Sequence, residues 1–324
     1  MSESPTRRAR AAAAITLVAL APAVGEILSG STPLVVFLLA PGIAAFEVAL
    51  YGFGALIVRE LVVSWKRGWT SVLVLGAAYG LIEEGAVLKA LFDPGWPGAA
   101  ALGSYGRFGG VGWVWLVQVD LFHAVVSITL PILLVELIFP QLRGHSWLGR
   151  RRRITLVTVW SLAVVAAMVL VRPEYAVEPQ YIILIAAIVG LIGLARIVPV
   201  PRIGSTQHRA RRIAMFVVGA AATGGLFAVS WSGPESGRPP LVTIALQLGI
   251  AGTAAWWLNR STRSGPLTGG EGLALAAGVL SLFVALALPR LSDGGSIVGA
   301  ATLAGLLLLA RRTVGSDPDG RMTV

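Results

Sequence analysis

The sequence contains no cysteine and few charged residues. Of its 324 residues, 13% are charged and 56% are hydrophobic. Soluble domains carry roughly 25% charged residues, so a soluble protein of this length would have too few charges to cover its surface. The absence of cysteine excludes disulfides, thiolate chemistry and cysteine-based metal sites. The composition therefore predicts a membrane protein and says nothing about its redox compartment.

Several catalytic signatures are also absent. The sequence has no HExxH, no GxSxG, no phosphate-binding loop and no dinucleotide-binding fingerprint. Each of these motifs places specific groups where its chemistry needs them, so their absence excludes those particular chemistries and no others.

The hydrophobic residues are grouped in blocks of about 15–25, the length that crosses a hydrocarbon core of roughly 30 Å as a helix. Only helices and closed barrels satisfy their backbone groups in lipid. The blocks are continuous in Leu, Val, Ala and Ile, without the period of two that a barrel strand shows. We therefore predict an all-α polytopic membrane protein with about ten transmembrane helices, at residues 11–29, 33–58, 70–92, 110–139, 154–171, 180–198, 213–231, 240–258, 272–289 and 296–310.

The net charge of +10 reflects membrane topology rather than a nucleic-acid partner. The two termini and the loops around Lys66, Arg150, Arg209 and Arg260 carry 21 of the 26 Lys and Arg residues. The positive-inside rule makes this side cytoplasmic, so we expect both termini to be cytoplasmic. A plasma-membrane location is predicted. The basic run Arg150, Arg151, Arg152 and Arg153 is predicted to anchor the topology and to contact anionic lipid.

The first predicted span has an alternative interpretation. Arg7, Arg8 and Arg10 precede an apolar run that ends in Ala21, Pro22 and Ala23. Such a pattern is also typical of a cleaved signal peptide. Cleavage of residues 11–29 would leave nine spans and would not change the orientation of the others.

Ionisable residues divide the chain into two unequal parts. Residues 1–153 form a predicted four-helix module with an acid and histidine cluster, whereas residues 154–324 form a predicted six-helix apolar module. A charge in the membrane interior costs roughly 2.5 kcal/mol or more. We therefore expect any functional site in the first module, whose spans contain Glu26, Glu47, Glu83, Glu84, Asp120, Glu136, Lys89 and His123.

Spans three and four are predicted to be antiparallel neighbours, because one loop joins them. At about 1.5 Å per residue, Glu83, Glu84 and Asp120 lie about 12–14 Å from the outer ends and His123 near 18 Å. Glu47 is expected near 21 Å. The predicted proton- or cation-binding residues are Glu47, Glu83, Glu84, Asp120 and His123.

Simpler interpretations exist for several of these residues. Glu26 and Glu136 lie close enough to span ends to be interfacial, and Lys89 is expected to extend its amine outward. Asp120 and His123 could serve only as a polar clamp between helices. One intramembrane histidine without cysteine argues against a zinc site. The sequence predicts no cofactor and no dedicated metal site, although a Na⁺ or divalent ion held by carboxylates stays open.

A glutamate pair in one membrane helix, followed by a helix with an intramembrane histidine, resembles the CAAX-protease and bacteriocin-processing family of glutamate intramembrane proteases. The resemblance covers about residues 70–123. It implies that Glu83 and Glu84 activate water and that His123 assists. The family has EExxxR, whereas Lys89 here stands one position late. The family also has a second histidine motif, and Phe122 here directly precedes His123 instead of lying four residues before it.

Three functions follow from these features. The leading hypothesis is a proton-coupled or cation-handling carrier for an unidentified small molecule or ion, because the acids form a staggered series through the membrane. The first alternative is an intramembrane glutamate protease with Glu83, Glu84 and His123 as catalytic residues. The second alternative is a non-catalytic membrane scaffold or assembly factor, in which the acids act as clamps between helices.

Overall fold

The computed structural model describes residues 6–171, 173–175, 179–200, 211–263, 265 and 267–315. In this part of the chain, ten helices are long and apolar enough to cross a membrane, which confirms the all-α polytopic prediction. The segments around Arg172 and Arg209 lie outside the described residues. The helices are α1 Arg7–Leu28, α2 Leu34–Leu39, α3 Pro41–Ser64, α4 Trp69–Val87, α5 Trp113–Ile138, α6 Arg150–Leu170, α7 Gln180–Ile197, α8 Arg212–Trp231, α9 Pro240–Arg263, α10 Gly269–Ala287 and α11 Gly295–Gly315.

The loop between α4 and α5 contains the only strands in the described residues. These are β1 (Arg107–Phe108) and β2 (Val111–Gly112), which pair antiparallel. Short 3₁₀ segments lie at Pro97–Gly103, which is kinked at Ala100, and at Pro140–Leu142 and Pro173–Tyr175.

The second span is shorter than predicted, because the chain breaks before Pro41. The predicted helix over 33–58 is divided into α2 and α3, and Ala40 between them has φ −115° and ψ 82°. Proline disfavours helical geometry in the residue before it. The span therefore begins at Pro41. Glu47 lies only about 9 Å from that end at 1.5 Å per residue, so the predicted depth near 21 Å was wrong.

Each of the first four spans contains a widened π-helical segment. These segments are Ala23–Leu28 in α1, Val48–Gly52 in α3, Leu81–Val87 in α4 and His123–Thr129 in α5. In α4, for example, the Leu88 amide donates to the carbonyl of Glu83, five residues earlier, at 2.8 Å. Short π-helical insertions change the direction of the side chains that follow and occur frequently at functional sites.

Helices α4 and α5 form the most buried pair of spans and approach each other through small residues. A Cβ on Gly76 would lie 2.8 Å from the Ala124 Cα, and a Cβ on Gly80 would lie 2.6 Å from Asp120 Oδ1. Glycine allows backbones to pack this closely in a membrane. The contact confirms that spans three and four are neighbours.

The division at residue 153 stays a prediction, although α10 packs tightly on the first module. Its residues Leu280 and Phe283 share a hydrophobic cluster with Val24 of α1 and Phe122 of α5. By contrast, α6, α7, α9 and α11 expose most of their apolar side chains. In a membrane protein these exposed faces contact lipid or other membrane proteins.

A buried ion-pair cluster anchors the ends of α3 and α5. Arg59 donates to Glu60 Oε1 at 2.8 Å and to Glu136 Oε1 at 3.3 Å. It also donates to the carbonyls of His145 and Leu142, at 2.8 and 3.1 Å. Glu136 lies near the end of α5, as predicted, but in the protein interior and not at an exposed surface. Its carboxylate is buried, and the paired guanidinium compensates for its lost hydration.

The prediction for Lys89 was also wrong. Its side chain is fully buried, and its amine donates to the Met168 carbonyl at 2.8 Å and to the carbonyl of Val171. These carbonyls lie at the C-terminal end of α6, where a cation is favoured by the helix dipole. Lys89 thus caps a neighbouring helix instead of reaching outward.

The predicted orientation can be tested with single cysteines, because the natural chain has none. Ser104 and His145 are exposed in the loops at opposite ends of α5. We expect a membrane-impermeant maleimide to label Ser104→Cys on intact cells and to label His145→Cys only after lysis. The cysteine-free protein measures the background. The opposite labelling pattern would reverse the orientation.

Candidate functional site

The first four spans bring their polar side chains together in one buried cluster. Glu83 and Glu84 come from α4, His123 from α5, Tyr51 from α3 and Glu26 from α1. Glu83, Glu84, Tyr51 and His123 are all more than nine-tenths buried, and Glu26 is partly buried. Polar groups withdrawn from water at this depth must satisfy one another.

The imidazole of His123 is the centre of the cluster. Its Nε2 lies 3.2 Å from Glu84 Oε1, and its Nδ1 lies 3.3 Å from Glu83 Oε2. Nδ1 also lies 3.0 Å from Ser127 Oγ, one turn along α5. Both ring nitrogens therefore have polar partners. A histidine placed in this way can receive a proton on one nitrogen while it releases one from the other.

Tyr51 joins the outer part of the cluster to its centre. The Tyr51 hydroxyl makes hydrogen bonds with Glu26 Oε1 and with Glu83 Oε1. A phenol has one proton to donate. If Tyr51 is neutral, it donates to one carboxylate and accepts from the other, which must then be protonated. Thr32 donates to Glu26 Oε2 at 3.1 Å. A continuous series of polar contacts therefore runs from Thr32 through Glu26, Tyr51, Glu83 and His123 to Glu84. Every step is a hydrogen bond except the 3.3 Å contact between Glu83 Oε2 and His123 Nδ1.

Aromatic rings surround the imidazole. The ring centroids of Tyr51 and Tyr79 each lie 6.0 Å from that of His123, and the Phe122 centroid lies 5.3 Å away. Tyr51 and Tyr79 also pack edge to face, 5.8 Å apart. These rings confine the imidazole, and their packing keeps it in contact with the carboxylates.

Two predicted site residues lie beside this chain without joining it. Asp120 is on α5 against Gly80, and its Oδ1 has no hydrogen-bond partner among the described residues. Glu47 is buried, and its Oε2 likewise has no partner in this part of the structure. Both side chains therefore have an oxygen available for a proton or a ligand.

Three of these side chains could also hold a metal ion. Glu83, Glu84 and His123 each offer one ligand atom, and these atoms all lie within 4.8 Å of one another. The sequence predicted no metal site, because one intramembrane histidine without cysteine argues against zinc. Only the packing of α4 on α5 brings these residues together.

Comparison with protein families gives a match over residues 15–223, to a family described as an uncharacterized membrane protein family. The chain belongs to this family. The match includes every residue of the cluster, so the cluster lies within the part that defines the family. Comparisons with curated proteins and with solved structures found no match. Family membership and the ten apolar helices place the protein in a lipid bilayer.

The sequence analysis missed Tyr51 and Thr32. Tyr51 stands four residues after Glu47, on the same face of a helix, and this spacing was the available signal. Thr32 lies in the turn after α1, where sequence shows no link to Glu26. The resulting hydrogen bonds join residues from different elements, which a pattern within one helix cannot reveal.

The close approach of α4 and α5 predicts a clear effect of Gly76→Ala. The added methyl group would overlap the Ala124 backbone, which cannot move aside as a side chain can. We expect the free energy of unfolding to fall by about 1–3 kcal/mol, measured as a lower melting temperature in detergent. Gly190→Ala in α7 is the matched control, because nothing lies within 4 Å of its added methyl group. Equal melting temperatures for the two variants would contradict this packing.

Proposed function

We propose that this protein transfers protons through its buried cluster and couples that transfer to the movement of an ion or small molecule. The observation that supports this proposal is the continuous series of polar contacts Thr32–Glu26–Tyr51–Glu83–His123–Glu84. Three of its six members are carboxylic acids and one is an imidazole, and each member contacts the next. Intramembrane chains of this composition are typical of proton relays.

The chemistry of the chain fits proton movement. Carboxyl groups and imidazole can each take up and release a proton, imidazole near neutral pH, and Tyr51 supplies a hydroxyl that can donate and accept at the same time. A proton that enters at Glu26 can pass through Tyr51 to Glu83 and then across the imidazole to Glu84. Each step is between polar atoms in contact, so no charged group needs to travel through lipid.

Adjacent unpaired oxygens offer a place for the coupled substrate. Glu84 Oε2, Asp120 Oδ1 and Glu47 Oε2 are buried without hydrogen-bond partners among the described residues. A cation or a cationic group would be attracted to such oxygens. Protonation of the chain would weaken that attraction, which is the coupling that a carrier needs.

The test is proton flux in proteoliposomes that contain a trapped pH dye. Glu84→Gln keeps the shape of the side chain and removes its titratable carboxyl group, and Tyr51→Phe removes only the bridging hydroxyl. We expect each change to lower flux by about 10-fold or more, because proton transfer by a positioned group typically contributes at least that much. Tyr105→Phe is the matched control, since its hydroxyl bonds to Arg238 and Thr243 outside the cluster.

Flux that survives both cluster changes in folded protein would contradict the relay. The same conclusion would follow if wild-type vesicles showed no flux under any pH gradient or membrane potential.

A second candidate function is intramembrane hydrolysis, favoured by the two carboxylates that flank one imidazole. In this proposal Glu83 or Glu84 removes a proton from water, which attacks a peptide carbonyl. His123 then stabilises the oxyanion and protonates the leaving amine. The resemblance to glutamate intramembrane proteases supports the same roles for Glu83, Glu84 and His123.

Tyr51→Phe separates the two candidate functions. Hydrolysis needs the carboxylates and the imidazole, and the link from Tyr51 to Glu26 takes no part in it. If the protein is a hydrolase, we expect Glu83→Gln to lower cleavage of membrane peptides by about 100-fold or more, followed by mass spectrometry, and Tyr51→Phe to retain most of the activity. No cleavage of membrane peptides by the folded wild type would contradict the hydrolase.

We also propose that anionic lipid binds the basic start of α6 at the inner surface of the plasma membrane. Arg150, Arg151 and Arg152 are exposed there, within the first turn of the helix. The helix dipole disfavours cations at this end. Lipid phosphate groups would offset both the dipole and the repulsion among the arginines.

A further inference from the structure

Glu83, Glu84 and His123 have the dimensions of a metal site. His123 Nε2 and Glu84 Oε1 are 3.2 Å apart, and the third ligand atom lies within 4.8 Å of both. Two ligands of a tetrahedral ion are separated by about 3.4 Å when each bond to the metal is about 2.1 Å. Small rotations of the carboxylates would therefore bring all three side chains into bonding distance of one ion.

The groups behind these three side chains resemble the support found around bound metals. Ser127 Oγ lies 3.0 Å from Nδ1 of the imidazole, which leaves Nε2 on the side of Glu84. Tyr51 holds the Oε1 atom of Glu83. Metal-binding histidines almost always use the second ring nitrogen in such a contact, and ligating carboxylates are themselves hydrogen-bonded.

Two buried oxygens at the site lack a hydrogen-bond partner among the described residues. Glu84 Oε2 and Glu83 Oε2 are both inaccessible, and Glu83 Oε2 has only its 3.3 Å contact with Nδ1 of His123. Buried polar atoms are rarely left in this state. A ligand that accepts electron pairs would satisfy both oxygens at once, whereas a further carboxylate or carbonyl would not.

The charge of the site also favours a divalent cation. Two carboxylates inside a membrane carry a large electrostatic cost if both are ionised. One divalent ion neutralises both, and neutral imidazole adds a third ligand without adding charge. Mixed imidazole and carboxylate ligands suit Zn²⁺ and similar transition metals, whereas Mg²⁺ prefers oxygen ligands alone.

We propose that Glu83, Glu84 and His123 bind one divalent transition-metal ion, with Zn²⁺ as the preferred ion. This inference goes beyond proton transfer and does not depend on it. Bound metal would occupy the atoms that the relay uses, and metal binding would release any protons that they share.

The test uses the full chain purified in detergent, stripped of metal, and titrated with ZnCl₂ in a calorimeter. We expect one equivalent per chain, with proton release shown by different heats in buffers of different ionisation enthalpy. His123→Gln and Glu84→Gln should each weaken binding by about 100-fold or more, and Tyr51→Phe by about 10-fold. His145→Gln is the matched control, because His145 is exposed in a loop away from the cluster. CoCl₂ should give visible absorption bands in the wild type that His123→Gln removes.

Absence of a bound equivalent in the folded wild type would overturn this proposal. Binding and cobalt bands that persist in His123→Gln, or that disappear equally in His145→Gln, would also overturn it. The cobalt spectrum of the wild type keeps the test decisive if a variant fails to fold. Metal binding without proton flux would refute only the relay, and flux without metal binding would refute only the metal site.

Discussion

The contact of His123 with Glu83 and Glu84 is the constraint on which the packing of the first four spans depends. Lipid cannot hydrate these groups, so the membrane tolerates them only while each has a polar neighbour. The imidazole reaches both carboxylates because α4 and α5 approach closely at Gly76 and Gly80. Removing any member of the group would leave the others buried without compensation, which explains why so many polar residues occur together.

The π-helical segments allow two adjacent glutamates to reach the same imidazole. Adjacent residues such as Glu83 and Glu84 diverge by about 100° on a regular helix, yet here both reach one imidazole. In each of the four spans that supply the cluster, the cluster residues lie within the π-helical segment. The π-helical turns lack the regular backbone hydrogen bonds of an α-helix, and they direct these side chains toward the imidazole. Such turns occur frequently at functional sites.

The remaining helices have a different relation to the membrane. Helix α10 packs into the polar module through Leu280 and Phe283, whereas α6 and α9 present mostly apolar side chains to their surroundings. The buried Arg59 cluster and the Lys89 cap fasten the polar module at its ends. The module is therefore held from several directions.

Composition alone determined that the protein is helical and crosses the membrane about ten times, because lipid thickness sets the length of an apolar block. The sequence also showed that the acids within predicted spans lie in spans one to four, and it predicted a functional region there, because a charge in lipid carries a free-energy cost. The predicted span boundaries were right where helix-breaking residues mark the end of an apolar block. They were wrong at Pro41, where one apolar block contains two helices. A local sequence pattern does not show at which helix-breaking residue a helix ends.

Only the tertiary structure decided which of these residues contact one another. Glu83, Glu84 and His123 meet because two helices lie against each other, and Tyr51 and Thr32 join them from other elements. Lys89 was expected to extend outward because of its type, yet partners from distant parts of the chain hold both Lys89 and Arg59 inside. A side chain's tendency toward water is a property of the residue. Whether it finds a buried partner depends on how helices distant in sequence pack, and the sequence of one chain does not reveal that packing.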